Sequence, residues 1–409
     1  MIIFDNAAVL DGAAEAPLPG MSVLVEGQTI REVAARPIAM PGATRIDLAG
    51  RTLMPGLIDA HVHVVASLAN LGANALLPDA LVALRAAKLM AEMLARGFTT
   101  VRDVGGATLG LRLAWEEGLI EGPRLVISGK ALSQTGGHGD FTGRFDPRDV
   151  APVGRRLGAM CRVVDGVDAL RRAAREEIRA GADFIKIMAN GGVASPTDPI
   201  AFHGFSESEI RAAVEEARMA QTYVAAHLYT DDGIARAVAC GVHSLEHCNL
   251  ITEATARAAA AAGCIAVPTL VTYEALNDEA TALGMGAESV AKIDDVRLAG
   301  MQSLERMAAA GLTMAFGTDL LAEMHRRQSE EFTIRGRVLP AMEVIRSTTL
   351  HAARLLRQEG RIGCVAPGAL ADLIVIDGDP LADLALLGGQ GAHMPLVMQG
   401  GRLIRNRLS

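Results

Sequence analysis

From residue 57 to residue 321 the chain repeats one pattern, a short apolar run followed by a longer stretch rich in Ala, Arg and Glu. The apolar runs are "LIDAHVHV", "TTVRDVG", "RLVISGKALS", "FIKIMANG", "YVAAHLYT", "SLEHCNL", "IAVPTL" and "TMAFGTDLL". They are apolar at consecutive positions rather than alternating, which fits parallel strands buried on both faces. The stretches between them, among them 79–96, 206–220 and 287–310, predict helices. Eight strand–helix units predict an α/β fold, a (β/α)8 TIM barrel. Both chain ends differ in texture. "MIIFDNAAVLDG", "MSVLVEGQTIREVA" and "ATRIDLAG" at the start, and "GRIGCVAPGALADLIVIDGDP" and "MPLVMQGGRLIRN" at the end, are strand-like runs broken by Gly, Pro and Asp. They predict a small β-sandwich domain built from both ends. The expected division is 1–55, the barrel at 56–358, and 359–409.

Composition narrows the partners. The chain has 409 residues and is 50% hydrophobic, enough for a large core. Its net charge of −8 is spread along the sequence without a basic tract, which argues against nucleic acid and anionic membranes as partners. Aromatic residues make up only 3%, too few for a base-stacking surface. The five cysteines form no CxxC pair, so buried, reduced thiols are expected. No apolar run approaches the roughly 18 residues of a membrane helix, and the first residues lack the basic and apolar regions of a signal peptide. A cytoplasmic, homo-oligomeric enzyme acting on a small molecule is the expectation.

The ionisable residues inside the apolar runs carry the chemistry. In "DAHVHV", His61 and His63 occupy positions i and i+2 of a strand and so share a face. Such a pair can converge on one cation, or it can be two hydrogen-bonded core histidines. Lys186 in "FIKIMANGG", His227 in "VAAHLYT", His247 in "SLEHCNL" and Asp319 in "FGTDLL" repeat the theme, each near the end of an apolar run. Barrel chemistry sits at the C-terminal ends of the strands. Nitrogen and oxygen donors of this kind suit zinc, with manganese, cobalt or nickel as alternatives. Six groups suggest two ions sharing ligands, and a lysine carboxylated by carbon dioxide would be a bridging carboxylate.

With these residues in place, the sequence resembles the amidohydrolase superfamily along essentially its whole length. "RTLMPGLIDAHVHV", "GVHSLEHCNLI", "FGTDLL" and "PGALADLIVIDGDPL" carry that resemblance. "KALSQTGGHGDF", "IKIMANGGVASPTDP" and "HLYTDDGIARAVACGV" narrow it to the imidazolonepropionase-like branch that contains binuclear prolidases and related dipeptide carboxypeptidases. Imidazolonepropionase itself uses one metal and lacks the bridging lysine, so Lys186 counts against that activity. The resemblance implies two divalent ions, most plausibly zinc. His61, His63 and Asp319 would hold the first, His227 and His247 the second, with N-carboxylated Lys186 and a hydroxide between them. It implies cleavage of a dipeptide (Xaa-Pro-like) or an N-acyl amino acid, Asp319 moving the proton.

Two further residues are expected at the substrate. His138, in the Gly-rich "SQTGGHGDF" after the third run, and Tyr229, two residues past His227, are assigned to the substrate carbonyl or carboxylate. His203, His325 and Arg144 lie on loops after strands and are weaker candidates for a substrate carboxylate. His243, His351, His393 and Asp103 are expected to be structural or supporting. The alternatives are hydrolysis of another C–N or ester bond (a cyclic amide, as in imidazolonepropionase, or an ochratoxin-like amide) and a non-catalytic metal-binding scaffold. Asp319 argues against the scaffold, because ligation alone does not require it.

Overall fold

The structure, a computed structural model, describes residues 1–145 and 151–408. The apolar runs of the middle segment form two parallel sheets. Leu57–Val62, Phe98–Asp103 and Arg124–Ile127 make a three-stranded one. Cys161–Val163, Ala131–Ser133, Ile185–Met188, Val224–Thr230, Ser244–Leu250 and Ile265–Val267 make a six-stranded one in that spatial order. The third run, "RLVISGKALS", contributes to both. It breaks at Gly129, whose φ of 67° lies in the left-handed region that glycine enters without penalty. The amide of Asp183 donates to the Ile127 carbonyl at 2.7 Å across the join.

The eighth run is held by fewer bonds than a full strand. A single parallel bridge joins Ala266 to Met314. Ala315 N donates to Ala266 O and Ala60 N to Phe316 O, both at 2.8 Å, so 313–316 lies between Ile265–Val267 and Leu57–Val62. Past it the chain stays against the first strand, Asp319 N donating to the His61 carbonyl at 2.8 Å, and only glycine fits at 317. A Cβ on Gly317 would sit 2.8 Å from His61 Cβ and 2.5 Å from Val267 Cγ1, and the chain then turns at Asp319 with φ 51°.

Two of the expected helices appear as Asp79–Ala95 and Glu207–Met219. The second starts in a capping box, Ser206 with Glu209, and buries Ile210, Ala213, Val214 and Ala217. The single helix expected over 287–310 is instead three pieces, Ala287–Val290, Ile293–Arg297 and Gly300–Ala309. Gly300 marks the last break, where a Cβ would meet Leu270 at 2.6 Å.

Both chain ends share a separate sheet of eight strands. The order is Arg402–Asn406, Leu396–Gln399, Leu373–Ile376, Thr52–Pro55, Ile2–Val9, Leu18–Glu26 and Thr29–Ala34, with Thr44–Asp47 also paired to Ile2–Val9. The expected sandwich is therefore one continuously hydrogen-bonded sheet. Phe4, Val23, Leu53, Leu373 and Leu396 from its different strands meet in one core. Gly400 and Gly401, at φ 53° and 75°, make the tight turn between the last two strands. Among the described residues no helix is long and apolar enough to cross a membrane.

Candidate active site

The strand ends bring His61, His63, Lys186, His227, Tyr229, His247 and Asp319 to one cavity of about 40 Å3, and the loop after Ala131–Ser133 adds His138. All eight residues singled out in the sequence thus line the same space. Tyr273, Met188, Leu321 and Phe141 are among the other side chains in its wall. Three of the weaker candidates lie elsewhere. His203 is exposed and pairs with Asp232 at 3.1 Å. Arg144 is exposed, and His325 is buried on the short helical turn Ala322–Arg327 with both ring nitrogens unpartnered. His243 packs edge-on against Tyr223, and the carboxylate of Asp103 accepts the amides of Val64, Gly105 and Ala107.

Strand alternation explains the first pair. His61 and His63 share a face, and their Nε2 atoms approach Asp319 Oδ1 at 3.3 and 3.2 Å. His247 needs a different device. Glu246 faces inward with Ser244, so regular alternation would turn His247 away. Positive φ at His247 (67°) and Cys248 (59°) breaks the alternation and returns the imidazole to the cavity. Left-handed backbone at non-glycine residues is uncommon and strained, and such outliers cluster at functional sites. Asp319 shares the feature. The donor atoms of His61, His247 and Asp319 lie within 4.8 Å of one another.

Each imidazole is gripped through its outer nitrogen. His61 Nδ1 lies 2.7 Å from Glu246 Oε2, His63 Nδ1 2.9 Å from the Gly105 carbonyl, and His247 Nδ1 2.8 Å from Thr269 Oγ1. His227 is held by Nε2, 3.2 Å from the Gly191 carbonyl. The other nitrogen of each ring is left for a ligand, the arrangement of metal-binding histidines. Lys186 is almost wholly buried beside them, and burial pushes its ammonium down to about 8. Burial pushes His227 and His247 well below the ordinary imidazole value, keeping them neutral as metal ligands must be. Burial alone would raise the Asp319 carboxyl, but His61, His63 and His247 hold it well below the usual range. Its side chain keeps 20% of its surface open to the cavity. The donor set of neutral imidazoles, one carboxylate and one buried lysine fits divalent cations.

Three supporting contacts were not anticipated from sequence. Arg102 Nη2 donates to both carboxylate oxygens of Glu246 at 2.8 Å, and all three groups, with His61, are fully buried. One signal was available: a lone Arg in "TTVRDVG" and a lone Glu in "SLEHCNL" are charges inside apolar runs and must pair. Tyr273 Oη donates to Tyr229 Oη at 2.9 Å. His138 stacks on His227 at 4.1 Å, with its Nδ1 2.8 Å from Ser195 Oγ. Nothing in the sequence joins these residues: His227 and Tyr229 lie on the strand Val224–Thr230, Tyr273 on the helix Val271–Glu279, and His138 and Ser195 on loops.

The chain is similar to known proteins over most of its length. The chain is 31% identical over 375 residues to ochratoxinase of Aspergillus niger, covering 86% of this chain and 75% of the relative. It is 51% identical to a prolidase solved in complex with N-methylphosphonate-L-proline, with a TM-score of 0.98 and 99% of both chains covered. A Xaa-Pro dipeptidase with methionine in its active site superposes with a TM-score of 0.88 at 28% identity, covering 99% of this chain and 100% of the other. Residues 52–402, which include every strand feeding the cavity, match the model of the amidohydrolase family, and the chain belongs to that family.

Proposed function

We propose that the protein is a binuclear metal-dependent amidohydrolase that cleaves a dipeptide with a C-terminal proline-like residue, or an N-acyl amino acid. One observation carries the proposal: eight chemically matched residues from separate strands and loops line one cavity of about 40 Å3. We read the two parallel sheets as parts of a (β/α)8 barrel, the cavity lying at its C-terminal face. His61, His63 and Asp319 would hold one zinc ion and His227 and His247 the other, with Lys186 bridging as its carbamate. A buried amine whose ammonium form is disfavoured is the form that combines with carbon dioxide. When bound, the two ions supply an acidified water and a Lewis acid for the scissile carbonyl.

The chain's own residues do the rest. Asp319 accepts the proton of the attacking water on its carboxylate and delivers it to the leaving amine. Tyr229 donates its hydroxyl hydrogen to the carbonyl oxygen as negative charge develops there. His138 faces the same oxygen through Nε2. The Asp198 carboxylate lies 3.4 Å from His138 Nδ1, on the side of the ring away from that oxygen. Met188, Leu321 and Phe141 exclude water from the reacting bond. The prolidase of known structure, similar over nearly the whole chain, supports the dipeptide reading. The similarity to ochratoxinase favours a second one, an ochratoxin-like amide.

The test is metal analysis followed by a library of Xaa-Pro dipeptides, N-acyl amino acids and bulky aryl amides, each with a free and an amidated C-terminus. About two ions per chain and preference for free acids support the proposal. Full activity with one ion overturns the binuclear centre. Equal cleavage of amidated substrates overturns the carboxypeptidase reading and leaves a general amide hydrolase.

A further inference from the structure

His138 is held from behind by groups that the reaction itself does not use. Ser195 donates its hydroxyl to Asp198 Oδ1, so its oxygen is left to accept the Nδ1–H of His138 at 2.8 Å. The second oxygen of Asp198 lies 3.4 Å from the same nitrogen and accepts the Gly192 amide at 2.9 Å. Ser195 and Asp198 are both buried. The loop that carries them passes so close to the imidazole that a Cβ on Gly192 would fall 2.0 Å from the ring, which only glycine avoids.

The loop is clamped by a residue of another segment. Lys292 Nζ donates to the carbonyls of Gly192, Ser195 (2.8 Å) and Asp198 (3.1 Å). Lys292 sits at the break between Ala287–Val290 and Ile293–Arg297, where the expected long helix is interrupted. The Lys292 ammonium ties the loop together through three backbone carbonyls, without the side chains of Ser195 and Asp198. Those two side chains instead converge on one imidazole nitrogen. The convergence turns Nε2 of His138 toward the cavity and fixes the ring plane, which is stacked at 22° on His227.

We propose that Asp198 and Ser195 are positioning residues for His138, and that Lys292 is the clamp that holds their loop in register with it. The proposal rests on the reading of this cavity as an amide-hydrolysing site, and the experiment separates the two. Turnover of a free Xaa-Pro dipeptide by the metal-loaded wild type is measured first. In the active enzyme, D198N and S195A at unchanged metal content should each lower kcat about tenfold with KM changed less than about twofold. D198N should cost nothing further in the H138A background. K292M should reproduce the loss and K292R should restore it.

Crystal structures of S195A and D198N give a readout independent of activity, the displacement of His138 from its stack on His227. An unchanged ring with unchanged kcat in both variants overturns the proposal, as does a D198N loss equally large in H138A. A wild type without amide turnover at full metal load overturns the functional reading instead. The position of the ring in the two variants then decides the inference alone, a displaced ring supporting it and an unmoved one overturning it.

Discussion

His61 Nδ1 lies 2.7 Å from Glu246 Oε2, and the same carboxylate is gripped by Arg102 Nη2 at 2.8 Å through both its oxygens. A buried ion pair thus orients the imidazole whose Nε2 faces Asp319. Burial would raise the Glu246 carboxyl, but Arg102 above all, then His61 and Lys186, hold it well below the usual carboxylate range. E246Q keeps the shape and strands the Arg102 charge. Removing one partner of such a pair costs about 3–5 kcal/mol, and losing the orienting group costs about 10–100-fold in metal affinity. Denaturant unfolding of the apo protein and metal titration measure the two effects. Wild-type stability with wild-type affinity would show that Glu246 orients nothing.

Lys186 is expected to matter through its carbamate rather than its charge. K186A should lose the second ion and most activity. Short carboxylic acids should restore both, because they can occupy the place of the missing carboxylate. Metal content with and without added acid is the measurement. A K186A protein that keeps two ions without rescue removes the bridge from the proposal.

Much of this site was legible because its residues break a local rule. Each is a polar group in an apolar strand, and strand periodicity alone gives His61 and His63 a common face. His247 was legible as a residue but not in its geometry, since the left-handed turn at 247–248 is a tertiary effect that no alternation rule contains. The eighth strand was legible as an apolar run, but not its sparse pairing, a single bridge from Met314 to Ala266, nor the close approach of Gly317 to His61 and Val267. The helix expected over 287–310 kept its periodicity but not its continuity, because Gly300 packs against Leu270 and the chain breaks at Lys292. Ser195 and Asp198 on their loop, and Tyr273 on the helix Val271–Glu279, gave no signal, because tertiary packing juxtaposes residues by shape rather than by spacing.

The proposed function gives Asp319 two jobs, and substitution separates them. D319N keeps the size of the side chain and one oxygen donor but cannot cycle a proton. It should retain most of the metal and lose about 10²-fold or more in kcat, the scale of general acid–base catalysis. Steady-state kinetics on samples of measured metal content test this. Near-normal turnover at full metal would mean that another group moves the proton.

Acid should destabilise the fold through His243. Burial, with Arg357 and Arg102 nearby, pushes its imidazole down to about 4 from an ordinary 6.5. The folded protein therefore binds fewer protons at this site than the unfolded chain between those two values. Stability falls as pH drops through the window, by up to about 1.4 kcal/mol per pH unit from one such group. H243Q, which cannot titrate, should unfold with a shallower pH dependence. The interval from pH 6.5 to 5 is the one to compare, since most carboxylates titrate below it. Parallel curves for the two proteins would assign the acid sensitivity elsewhere.

The pair Tyr273 and Tyr229 makes the last prediction. Tyr273 Oη donates to Tyr229 Oη at 2.9 Å, which occupies an acceptor position on Tyr229 and leaves its own hydrogen free to point into the cavity. Burial keeps both phenols protonated, pushing each above the ordinary tyrosine value. Tyr229 is then a neutral donor whose direction is set by its neighbour. Y229F removes the donor and should lower kcat/KM at least about tenfold, roughly 1.4 kcal/mol of transition-state binding, with metal content unchanged. Y273F removes only the orienting bond, so its loss should be smaller and should disappear in the Y229F background. Independent losses that add in the double variant would show that Tyr273 acts on the substrate or the packing directly, and not through the hydroxyl of Tyr229.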